Sequence, residues 1–248
     1  MKHSTLLHLL LIVLLIGSST ACKKGEDDPF LSLRSRKARV EGTWIIDNWS
    51  EYRQWNENGF TMTERRDIAD DKINYSLEMP FDSRQFEGPV DVASWFITKD
   101  GSWDRAFEYR EVQADTFSGG TNKRVLVTTQ LTRISELGTW AFLGKGNGYK
   151  NKERLTMSVT NRKVTTTNIS ERFAVSATGV LSSLDRQEGS NEEQWKYTEG
   201  EKVEIWTLTG LKHKELKGER ETNAIGQTPG GGEIPLNDLI ISFKLKQN

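Results

Sequence analysis

The chain has 248 residues, with 34 Lys and Arg against 35 Asp and Glu and a formal charge of −1, so no global basic field points to nucleic acid. One cysteine excludes an internal disulfide framework, and three histidines, two of them in the first eight residues, leave too few ligands for a Cys/His zinc cluster. A charged fraction of 28% with 35% hydrophobic residues suits a water-soluble body.

In chain order, the first element is a leader. Lys2 supplies a positive charge, Leu6 to Ile16 is apolar apart from His8, and Gly17, Ser18, Ser19, Thr20 and Ala21 are small. That is the layout of a secretory signal, and the apolar run is short for a membrane span. Residues 1–21 are therefore read as a removed signal peptide.

The lone cysteine, Cys22, follows at once and precedes Lys23, Lys24, Gly25, Glu26, Asp27 and Asp28, a run too charged to be core. The stretch "SSTAC" resembles a bacterial lipobox at Ala21 and Cys22, with Ser19 in place of the usual aliphatic residue. The resemblance implies that Cys22 is lipidated. Two or three acyl chains hold a protein to a membrane, whereas one does so only marginally. Lys23 and Lys24 with Glu26, Asp27 and Asp28 resemble the lysine-plus-acidic export signal of Bacteroidetes surface lipoproteins. That resemblance implies display on the outer membrane, facing outward; the plain alternative is a solvated linker.

"DDPFLSLRSRKARVEGTW", Asp27 to Trp44, resembles the N-terminal segment of a Bacteroidetes lipoprotein family with a lipocalin-like domain, with weaker echoes at "GTWAFL" and "VEIWTLTGLKHKEL". Read from its residues, it opens a short helix at Pro29, with Leu31 and Leu33 as a small apolar contact. Arg34, Arg36, Lys37 and Arg39 are expected in solvent, where a basic cluster could meet anionic lipid. Residues 22–39 form the tether and residues 40–248 the body.

Strand patterning dominates the body. Ile73, Tyr75, Leu77 and Met79 alternate with polar residues, as do Val125 and Val127, then Leu155, Met157 and Val159, then Leu239, Ile241, Phe243 and Leu245. "KDGSW" and "GKGNGYK" carry Asp-Gly and Asn-Gly hairpin signals, "SGGTN" and "TPGGGE" are further turns, and "DIADDK" is an acidic turn. Ser182 to Glu193 is polar without alternation and is read as a loop or short helix. About eight to ten strands with no domain boundary predict an all-β, single antiparallel barrel of lipocalin-like type; a two-sheet β-sandwich is the alternative.

Three G-[ST]-W motifs start at Gly42, Gly101 and Gly138 at unequal spacing, so they are not a repeat. Each is read as a turn glycine opening a strand with Trp facing inward. Gly42 and Trp44 resemble the Gly-x-Trp of the first lipocalin strand. That resemblance assigns them a barrel-closing role, with Lys244 or Lys246 of the last strand left to pack over Trp44.

Chemistry is sparse. His213 lies in a charged strand pattern, Asp and Glu are everywhere and so mark no carboxylate pair, and "GKGNG" lacks phosphate-loop context. No metal, cofactor or catalytic residue is predicted, and no enzyme activity. The eight tryptophans are the remaining lead. Trp49, Trp55 and Trp195, in polar surroundings, are the candidate ligand contacts. The expected function is binding of a small apolar or glycan-like ligand. The alternative is an interaction subunit of an envelope assembly with a filled barrel.

Overall fold

A computed structural model describes residues 35–119, 122–146, 148–149, 153–212, 214–221, 225–227 and 233–247. One short helix, α1 (Arg36–Val40), precedes twelve strands: β1 (Gly42–Glu57), β2 (Phe60–Ala69), β3 (Lys72–Met79), β4 (Asp82–Ile97), β5 (Ser102–Gly119), β6 (Asn122–Phe142), β7 (Arg154–Val175), β8 (Leu181–Lys196), β9 (Lys202–Leu211), β10 (Glu215–Glu221), β11 (Ile225–Gln227) and β12 (Glu233–Gln247). Neighbours pair antiparallel throughout, joined in part by tight turns. Asn58-Gly59 and Asp70-Asp71 both take positive φ, the backbone that a two-residue turn between twisted strands requires.

The sheet closes because β1 pairs with β12 over Trp44 to Trp55. Closure rules out the sandwich. The shortest circuit runs β1–β4–β5–β6–β7–β9–β10–β12 and back to β1, which makes an eight-stranded belt at one end. This end is narrow because Gly42 to Ile45 pair directly with Ser94 to Ile97 of β4. Farther along, the β2–β3 hairpin wedges between β1 and β4 and the wall flares. β7 has two successive partners on one side. Its first residues pair with β9, and residues 161–175 pair with β8, which among the described residues pairs with no other strand. This is a lipocalin-like barrel, flared at one end into a long sheet.

Inward positions follow the period-two pattern. Trp44, Trp95 and Trp206 are fully buried, and Trp49, Trp103, Trp140, Leu155, Met157, Leu245 and Phe243 complete the core. Trp49, Trp95, Trp206 and Phe243 meet one another edge-on or stacked, with centroids 5.0 to 6.4 Å apart. Aromatic pairs in such geometry add about 0.5–1.5 kcal/mol each beyond area burial.

Several expectations are corrected. Ser182 to Glu193 is strand, not loop or helix: it lies inside β8. Both faces of that strand are wet, so no alternation marks it, and its backbone pairs along β7. Arg36 and Arg39 are buried, not solvated. Ser35 caps α1 by accepting from the Ala38 N–H, and the helix then lies against the narrow end, where Arg39 Nη1 donates to the Leu211 carbonyl. Gly138 is not a turn glycine. It sits inside β6 at a bulge, where a Cβ would run into the Ser158 carbonyl oxygen. The three motif tryptophans do face inward. Lys244 and Lys246 do not cover Trp44. Lys246 pairs in register with Ile45, on the outer face, and both lysines bond Asp47. Trp44 instead donates its indole N–H to the Val40 carbonyl at 2.8 Å.

Candidate functional site

Inside the belt, charge is buried among the tryptophans. Arg105 follows Trp103 on the same inward face, and its guanidinium lies 5.1 to 6.0 Å from the rings of Trp95, Trp49, Trp103 and Phe107. It donates to Glu136 through Nε at 3.0 Å and also through Nη2, and reaches Glu204 at 3.3 Å. Arg162 bonds Glu136 at 2.7 Å and Arg220 pairs with Glu204 at 3.0 Å. Trp206 donates to Glu204 at 3.1 Å. Burial alone would raise both carboxyls. Arg105 outweighs it, aided by Arg162 at Glu136 and by Arg220 at Glu204, and holds both below the ordinary range. Burial, then the neighbouring Arg162, pushes the Lys202 ammonium down.

Carboxylates held ionised this firmly are poor proton donors near neutral pH, so the pair suits scaffolding better than acid–base work. Arg105 is lodged where a ligand would sit in a hollow barrel. At the level of the belt the interior is occupied by these side chains.

A second buried network lines the flare. Glu51 pairs with Arg53 and with Arg66 at 3.2 Å, and Trp49 donates to it at 3.4 Å. Desolvation pushes Glu51 up, but the charges of Arg53 and Arg66 prevail and hold it at about 2. Beyond it Tyr75, Phe86 and Tyr109 stack across three strands, at 5.0 and 6.1 Å. Arg66 stands over Tyr75 and Arg84 over Phe86, so these ring faces are already covered.

The predicted contacts therefore scatter. Trp49 and Trp55 are core residues, not rim residues: their polar sequence neighbours point to the other face of β1. Trp195 is half-buried on β8, opposite Arg162. Gly42 and Trp44 stand at the junction where β1 meets β4, and Trp44 also meets Gln247 of β12. Cys22, Lys23, Lys24, Glu26, Asp27, Asp28 and His213 lie outside the described residues.

The outer surface offers two features. A groove of about 480 Å3 crosses β2, β3 and β4, lined by Arg65, Asp67, Asn74, Ser76, Gln85 and Glu87 among others. Its carboxylates are engaged: Asp67 by Ser50 and Arg65, both at 2.6 Å, and Glu87 by Lys72 at 2.7 Å. The hairpin ends of the flare are apolar. Phe81 is 89% exposed at the β3–β4 turn, with its ring edge-on to Phe60 at 5.5 Å. Phe117, Val180, Leu181 and Leu184 are also exposed there. Sequence reasoning missed Phe81, although an aromatic in the turn "MPFDS" was a usable signal. It also missed Arg105, whose place two residues after an inward Trp marked it as inward.

Comparison with protein-family models, curated proteins and solved structures finds no match. Among the described residues no helix is long and apolar enough to cross a membrane, and no cluster of three or more His, Cys, Asp or Glu could hold a metal ion. The class defined on this ground is a lipocalin-like barrel with a side-chain-filled belt and an apolar-tipped flare.

Proposed function

We propose that the chain is a lipid-anchored protein of the bacterial outer membrane, displayed at the cell surface, that serves as an interaction module for another protein. The observation that carries this reading is the pairing of a filled belt with exposed aromatic and aliphatic side chains at the flared end, Phe81 foremost. Large apolar side chains left in water are tolerated where a partner covers them, and aromatics are enriched at such contacts. A small-ligand role would need an apolar hollow, and Arg105 with its aromatic neighbours fills the place where one would be.

The anchor rests on the lipobox resemblance at Cys22. Labelled palmitate should enter the wild-type chain and not Cys22→Ala; labelling that persists in the variant would remove the anchor. For the partner, a photo-crosslinking residue is placed at Phe81 or Leu181 in source cells, with Asp100 at the opposite end as control. A discrete protein adduct from the flared positions alone is expected. Equal adducts from all three positions, or none from the flare, would overturn the reading. So would native mass spectrometry of the purified chain that finds a bound small molecule.

A further inference from the structure

The narrow end has its own chemistry. Its connections are the α1 segment, the β4–β5 turn, the β6–β7 loop and the β9–β10 turn. Exposed Lys37, Lys99, Lys145, Lys212 and Lys214 are spread over all four. The acidic groups on or beside these connections are Glu41, Asp100, Glu153, Glu199, which accepts from Thr139 at 2.9 Å, and Glu215. Asp100 is turned into its own hairpin, accepting from Thr98 and from Ser102 Oγ, and Glu215 is held by Lys212, Lys217 and Lys244. Counting Lys217, Lys244 and Lys246 with the five exposed lysines, and Asp47, which bonds two of them, with the carboxylates, the lysines at this end outnumber the carboxylates eight to six among the described residues. The chain as a whole has no such excess, with a formal charge of −1.

Residues 1–34 lead into this same end. α1 is docked there through Arg39 to Leu211, Trp44 to Val40 and Lys37 over the Trp140 ring at 5.6 Å. Between Cys22 and Ser35 the chain can span at most about 45 Å even when fully extended. An anchor at Cys22 would keep the narrow end within that distance of the bilayer.

We propose that the lysine-bearing narrow end is a membrane-facing surface that binds the phosphates of anionic lipid headgroups. Its direction rests on the reading of the leader and Cys22, while its chemistry rests on the lysines alone. Each basic residue close to an anionic surface adds attraction that fades within a Debye length, so lysines on four adjacent connections act together. The barrel then stands upright with the flare pointing outward.

The test uses the full chain with Cys22→Ser, so that acylation plays no part, and flotation with vesicles of phosphatidylcholine alone or with about one-third phosphatidylglycerol. At low salt the chain should partition at least ~10-fold more onto the anionic vesicles, from the attraction expected of a few lysines. Most of that preference should vanish at high salt. Lys99→Gln, Lys145→Gln, Lys212→Gln and Lys214→Gln combined should abolish it without changing the thermal melt. Lys123→Gln with Arg124→Gln, at the flared end, should leave it intact. Equal binding to both vesicle types, or an equal loss in the two variants, would overturn the surface. Because Cys22 is absent throughout, this outcome is separate from the palmitate result.

Discussion

Glu51→Gln isolates the ion network of the flare. The amide keeps the shape of the side chain and removes its charge, leaving Arg53 and Arg66 with Glu64 alone. Glu51 has a folded-state pKa of about 2 against an ordinary 4.5, because Arg53 and Arg66 more than offset its burial. That difference is worth about 3 kcal/mol of stability at neutral pH, at ~1.4 kcal/mol per tenfold change. The sign follows from the depressed pKa. The contribution is complete above 4.5 and is lost as pH falls from 4.5 to about 2. Urea unfolding followed by tryptophan fluorescence, at steps from pH 7 to pH 3, measures it. Glu51→Gln should be about 3 kcal/mol less stable than wild type at pH 7, and the gap should narrow steadily below pH 4.5. A gap that stays constant across that range would refute the reasoning, since a packing defect has no reason to follow the titration of Glu51.

Arg105→Met should cost about 3–5 kcal/mol by leaving buried Glu136 and Glu204 with only Arg162 and Arg220 to offset their charge, and much of the loss should return when both are changed to Gln, read by the same unfolding assay. Gly138→Ala should unfold the belt or cost several kcal/mol, since its Cβ collides with backbone. Gly189→Ala on β8, with open space around it, should be neutral or slightly stabilising in a thermal melt. Arg39→Ala should cost about 1–3 kcal/mol by leaving the Leu211 carbonyl without that donor, and should raise protease sensitivity near α1.

Much of the barrel was legible where an inward face is an unbroken apolar run. The Leu239-to-Leu245 alternation maps directly onto the buried face of β12. The class followed from such runs plus the Asp-Gly and Asn-Gly turn signals. β8 was illegible because alternation records one-sided burial, and a strand wet on both faces leaves no such trace. The tryptophans misled for a related reason. Polar sequence neighbours of Trp49 and Trp55 lie on the opposite face of β1, so sequence context and spatial context are different things in a strand. Phe81 and Arg105 break the rule that apolar residues are inside and charges outside. The spacing of Arg105 from Trp103 marks it as inward, but its partners become legible only in the fold: Glu136 stands opposite it in the β5–β6 hairpin, and Glu204 comes from β9, which pairs beyond β7.

The long register of β1 has a mechanical meaning. β1 leaves α1 at the narrow end and runs up into the flare, bonded on one side to β12 and on the other to β4 and then β2. Antiparallel ladder bonds lie across the strand axis. A pull between the N-terminal segment and the flared tips would therefore load those bonds in shear, many at once, instead of unzipping them singly. The strand that begins the barrel is also its tie rod.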